Sequence, residues 1–284
     1  MTSNWLRRTS TTLGLAAWLA LAGPAAAQDA AAPVRPPLLL MGTIPIYWGE
    51  AGELTDLLHG GATPHWARGV LERGFELVPL DTLSAETLPP AGGRLLLAQP
   101  RTLSAPENVA LDAWVRGGGR VLLFADPLMT GHSRFAIGDR RRPQDVALLS
   151  PVLTHWGLEL ALADQPAPGL VPGDAGVAQF PVNQAGKLMA LPAGACRVLG
   201  DGVAARCALG AGEVLVVADA ALLDIDGPLA GAEAGLAALV DSAFGVDLGE
   251  TGKIGDGARG ASGNGGNPPF SDSHADHHGH ADPP

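Results

Sequence analysis

Residues 121–125 read Val-Leu-Leu-Phe-Ala, an unbroken apolar run closed by Asp126-Pro127. Five apolar residues without helical spacing mark a strand buried on both faces, and such a strand needs a covering layer above and below it. The run Leu38-Leu39-Leu40-Met41 is of the same kind, as is the run over 214–218 that ends at Asp219. Shorter strands are predicted over 75–80, 94–98 and 158–162. Helix signals lie between them. Thr63-Pro64 supplies an N-cap and a first-turn proline for a helix to Arg73, stopped by Gly74. Ser104-Ala105-Pro106-Glu107 is a capping box that opens a helix to Arg116, ended by Gly117-Gly118-Gly119. Further helices are predicted over 145–156, interrupted at Pro151, and over 228–244. This alternation predicts an α/β protein, a three-layer sandwich around a mostly parallel sheet.

The stretch 170–218 lacks helical period and is cut by Gly and Pro, so it reads as an antiparallel insertion. Asp201-Gly202 has the composition of a two-residue type I′ hairpin turn. Pairing outward from it sets Leu199 against Ala204, Arg197 against Arg206 and Cys196 against Cys207. Counted from a two-residue turn, the cysteines fall in a hydrogen-bonded pair with Cα atoms about 5.5 Å apart, within reach of a disulfide.

The ends of the chain differ from its body. Residues 1–27 read as a secretory signal. Arg7 and Arg8 precede a ten-residue apolar run, and Ala25-Ala26-Ala27 follows as a cleavage site. That run is half of what a membrane span needs, so stable membrane insertion after cleavage is not expected and the destination is a periplasm. Residues 28–36 form a lead-in and 37–248 the α/β domain. The tail 249–284 has almost nothing to bury and is expected to be disordered. A net charge of −11 argues against a nucleic-acid partner, which demands a basic face.

Several residue groups are candidates for chemistry. Asp126 and Asp219 follow buried strands, and ligands of open α/β sheets bind outside the carboxyl ends of strands. Glu50, in the loop after the first strand, can join them, with Tyr47 and Trp48 as an apolar wall. The plainer reading is that each aspartate caps a turn. Arg134, with Arg140-Arg141-Arg142, offers anion contacts or simply a solvated loop. His274, His277, His278 and His280 give the tail a loose divalent-metal capacity, or are a solubilising sequence. No other cofactor is implied.

Two segments carry a family resemblance. Residues 104–127, from the capping box through Leu111-Asp112-Ala113-Trp114 to Ala125-Asp126-Pro127, form one. Gly210-Ala211-Gly212-Glu213-Val214-Leu215-Val216-Val217-Ala218-Asp219 with Leu222-Leu223-Asp224 forms the other. Together they resemble the extracytoplasmic domain of gliding-motility-type auxiliary proteins of ABC transport systems. The resemblance spans roughly residues 37–245. It implies a class I glutamine-amidotransferase-like fold in a non-catalytic form. Ala98-Gln99-Pro100 stands where such enzymes place their nucleophilic cysteine, and neither cysteine of this chain is there. The family's membrane helices have no counterpart here. The expected role is a non-enzymatic periplasmic binding or accessory protein, associated with an envelope or transporter complex. Two alternatives are a hydrolase of glycans or peptides using Asp126, Asp219 and Glu50, and a metal-handling protein using the tail histidines.

Overall fold

The computed structural model describes residues 34–50, 63–89, 92–166, 168–192 and 194–248. Residues 1–27, read above as a signal, most of the 28–36 lead-in and the histidine-bearing tail lie outside the described residues.

The central sheet has seven strands. In chain order they are β1 (Pro37–Gly42), β2 (Glu76–Pro79), β3 (Arg94–Ala98), β4 (Arg120–Phe124), β9 (Cys196–Leu199), β10 (Ala204–Leu209) and β11 (Gly212–Val217). In space they run β2-β1-β3-β4-β11-β10-β9. The first five are mutually parallel, and β10 is antiparallel to both its neighbours. Two ribbons stand apart from the sheet: β5 (Leu158–Leu162) with β8 (Gly186–Ala190), and β6 (Leu170–Asp174) with β7 (Gln179–Asn183). The fold class is the expected one, an α/β sandwich with antiparallel additions.

Alternation along each strand divides the core between two faces. Leu38, Leu40, Leu96, Leu122 and Leu215 face α1 (Trp66–Leu71) and α4 (Ala232–Phe244). Leu39, Leu95, Leu97, Leu123 and Val216 face α2 (Ala105–Arg116) and α3 (Ser150–Trp156). The capping box on α2 forms as its sequence indicates. Ser104 N donates to Glu107 Oε2 at 2.8 Å, and Glu107 N donates to Ser104 Oγ at 3.4 Å. Glu107 also accepts two hydrogen bonds from Arg101.

Three helix boundaries differ from expectation. The α1 N-cap is His65, not Thr63: His65 Nδ1 accepts from Ala67 N at 3.1 Å. Its Nε2 then carries the proton and donates to Leu223 O at 3.1 Å, while Trp66 Nε1 donates to Asp224 O at 2.8 Å. These long-range anchors, not the proline signal, set where α1 begins. Pro151 does not interrupt α3; it lies in the first turn, where a missing N–H is harmless. α4 begins at Ala232, because Gly231 at φ +83° breaks helical continuity before it.

The hairpin register is as read, with Cys207 opposite Cys196 and the disulfide formed. The phase of the ladder is corrected. Ala208 N donates to Ala195 O at 3.0 Å, so 208 and 195 are the hydrogen-bonded pair and the cysteines fall between bonds. The cause is a loop of four residues, 200–203, in place of two, closed by Gly202 N donating to Leu199 O. Cysteines at such a position approach closely, and the Cα–Cα distance is 3.9 Å.

Candidate functional site

The strand order reverses direction between β1 and β3, and at such a switch point the diverging loops of a doubly wound sheet leave a ligand crevice. Here that point is closed by polar contacts from within the chain. Gln99, directly after β3, adopts φ +48° and is fully buried. A non-glycine residue in this region is strained, and its surroundings must hold it there. Its side-chain amide pairs with the peptide group of Asp126: Nε2 donates to Asp126 O at 2.9 Å and Oε1 accepts from Asp126 N at 2.8 Å. Nε2 also donates to Gln144 O at 2.9 Å. Thr43, directly after β1, donates through Oγ1 to Gln99 O at 2.5 Å and accepts from Gln144 N at 2.9 Å. The backbone at residue 144 thus lies across the switch point, bonded to both sides. Gly42 is required beneath it, since a Cβ there would collide with the Ala98 carbonyl.

Asp126 and Asp219 sit at the same edge, after β4 and β11, and both are 0% exposed. Each carboxylate is tied down by backbone N–H groups. Asp126 accepts from Leu128 N at 2.8 Å and Ala220 N at 3.1 Å. Asp219 accepts from Ala221 N at 2.7 Å and Asn183 N at 3.0 Å. Burial disfavours the charged forms, raising the Asp126 pKa to about 6 against the help of its N–H donors. Asp219 is raised well above the ordinary range, by burial first and by the charge of Asp126 second. The two aspartates are therefore brought together, as linked caps that hold the β4 and β11 loops and the end of β7.

Glu50 and Arg134 form a separate set. The Glu50 carboxylate accepts from Ser133 Oγ at 2.5 Å and Arg134 N at 3.1 Å, and Arg134 Nη1 donates to Glu50 O at 3.2 Å. Among the described residues no hydrogen bond or ion pair joins this set to the aspartates. Tyr47 lies under Arg68, whose Cζ is 4.4 Å from the ring centroid, and Trp48 is 61% exposed. Of the arginine run, Arg141 pairs with Asp139 and Arg142 with Asp145. His274, His277, His278 and His280 lie outside the described residues. Among those described, no group of three or more His, Cys, Asp or Glu side chains is placed to hold a metal ion.

Sequence reasoning singled out Gln99 as the occupant of a nucleophile's position, but not its role as a clamp. The signal was its place between a buried strand and Pro100. Gln144 gave none, because it contributes only its backbone.

No family model matches the chain, and no curated protein matches it. Among solved structures, the mmIFT52 N-terminal domain overlies 70% of this chain and 92% of its own length, with 14% identity and a TM-score of 0.43. An exo-β-1,4-mannosidase from Opitutaceae bacterium strain TAV5 overlies 66%, with 15% identity and a TM-score of 0.39. A cold-adapted β-galactosidase from Rahnella sp. R3 overlies 73%, with 12% identity and a TM-score of 0.40. The chain spans 32% of the mannosidase and 31% of the galactosidase. At these TM-scores nothing about site or function is transferred from them.

Proposed function

We propose that this chain is a non-enzymatic binding or accessory module of the periplasm, serving an envelope or ABC-type transport assembly. The resemblance of residues 104–127 and 210–224 to transport auxiliary proteins supports the setting. The observation that carries the non-enzymatic part is the Gln99 network. At the position where enzymes of the fold it resembles would hold a nucleophile, this chain holds an amide whose hydrogen-bonding groups are engaged with Asp126 and Gln144.

The hydrolase alternative needs a carboxylate that reaches substrate, one acid and one base with pKa values pushed apart. Asp126 and Asp219 are both raised and both sealed from solvent, and Glu50 is engaged by Ser133 and Arg134. Affinity purification of the tagged chain from cross-linked, detergent-solubilised envelopes tests the proposal. A stoichiometric envelope partner, retained equally by wild type and Asp126→Asn, is the expected result. Turnover of a glycan or peptide substrate that disappears in Asp126→Asn would overturn it.

A further inference from the structure

The segment after β5, the β6–β7 hairpin, the start of β8 and the 200–203 turn together line a recess of about 250 Å³. None of its lining residues belongs to the Thr43–Gln99–Gln144 network that closes the switch point. Its charged side chains are Lys187 and Asp201. Lys187 is the sole lysine among the described residues, and its ammonium makes no ion pair or hydrogen bond. The Asp201 carboxylate accepts from Val203 N at 3.2 Å and Asp174 N at 3.3 Å, which fixes it to the turn and leaves further lone pairs open. Opposite charges share one recess without forming a salt bridge with each other.

The amides of Gln165 and Gln184 also line the recess and make no side-chain hydrogen bond. Gln184 is held at φ +56°, the second non-glycine residue in the left-handed region among those described. The turn that strains it is pinned on both sides by the end of β11. Asn183 N donates to Asp219 Oδ2 at 3.0 Å, and Gly186 N donates to Ala218 O at 2.8 Å. Gly186 also packs so tightly on Pro127 that an added Cβ would stand 2.6 Å from its ring. A strained residue persists only where its surroundings hold it, and here they fix Gln184 among the lining of the recess. Val171 and Val182 supply apolar wall.

We infer that this recess binds a small zwitterion of the α-amino-acid class with an apolar side chain, its carboxylate on Lys187 and its ammonium on Asp201. A lone anion would meet Asp201 and a lone cation would meet Lys187, so only a ligand with both charges is matched at both ends. The inference is independent of any envelope or transporter role.

The test is calorimetric titration of the full chain with L-valine, L-valinamide and N-acetyl-L-valine. Valine should bind tightest, each blocked analogue being weaker by about fivefold, the scale of an exposed ion pair. In Lys187→Met the preference over valinamide should vanish while that over N-acetylvaline persists; Asp201→Asn should show the reverse. Equal affinities for all three, no binding at millimolar concentration, or preferences unchanged in Lys187→Met would overturn the inference. So would N-acetylvaline matching valine, which would point to a peptide C-terminal carboxylate instead. Thermal melting checks each variant. Should Asp201→Asn fail to fold, Lys187→Met decides alone, because the Lys187 ammonium makes no hydrogen bond or ion pair within the chain.

Discussion

Replacing Asp126 by Asn should flatten the dependence of stability on pH. The Asp126 pKa stands at about 6 in the folded chain, against about 3.9 for an unfolded aspartate. A folded pKa that is raised means that the native state binds the proton more tightly. The contribution is fully present below the unfolded value and is lost as pH rises through about 6. At 1.36 kcal/mol for each tenfold difference in proton affinity, the full loss is about 3 kcal/mol, of which about half falls between pH 5 and 7.5. The carboxamide of the Asp126→Asn variant keeps one carbonyl oxygen, but its NH₂ faces either Leu128 N–H or Ala220 N–H, at a pH-independent cost of about 1–3 kcal/mol. Removing the charge also relieves Asp219. Wild type should therefore be the more stable protein at pH 4, and the gap should close or reverse by pH 8. Urea unfolding of both proteins at constant ionic strength, followed by tryptophan fluorescence, measures the difference. A difference constant to within about 0.5 kcal/mol from pH 4 to pH 8 would refute the idea that Asp126 titrates in a buried, unpaired state.

Three further outcomes follow from the contacts. Gln99→Ala should destabilise by about 2–4 kcal/mol, because it strands Asp126 N–H without an acceptor and leaves the left-handed backbone unsupported; equilibrium unfolding reads this, and a loss below about 0.5 kcal/mol would contradict the clamp. Cys196→Ser with Cys207→Ser should cost about 2–3 kcal/mol, the chain-entropy value for so short a loop, and intact mass with and without reductant before alkylation should show one bond in the parent. Glu107→Gln should cost about 2–3 kcal/mol at neutral pH, since Arg101 holds its pKa down to about 2. That loss should shrink as pH falls from 4.5 toward 2 and the wild-type carboxylate protonates, which pH-resolved melting will show.

The fold was legible where local chemistry and tertiary need agree. The run 121–125 and the capping box at Ser104 say the same thing at every level, and both stand as read. The 199–204 register was also legible, because Asp201-Gly202 marks the centre of the turn and pairing outward from it sets the partners. What failed depends on distant atoms. His65 became a cap through Leu223 and Asp224, far along the chain. The partner of the 158–162 strand is β8, and no local signal names that pairing. At the switch point, Asp126 and Asp219 were located by the pattern of an apolar run followed by aspartate. The closure of the switch point by the loop at Gln144 was not, because a backbone contact carries no side-chain signature. The recess around Lys187 was missed for a related reason: its lining comes from three strands and three connecting segments, none distinctive alone.

The order of strands in the sheet has a consequence for how the chain must assemble. β11, residues 212–217, is wedged between β4, completed at residue 124, and the β9–β10 hairpin. A chain emerging N-terminus first can pair β1 to β4 early, yet the outer edge of β4 has no partner until some ninety more residues have followed. That edge is Val-Leu-Leu-Phe, apolar and unpaired until then, the kind that pairs readily with other chains. The β9–β10 hairpin precedes β11 directly and pairs locally, so it offers a ready template on which β11 can form before it docks. Final closure then joins two preassembled halves along one long-range seam, a slow step of high contact order. The interval before closure is when this protein is most exposed to aggregation.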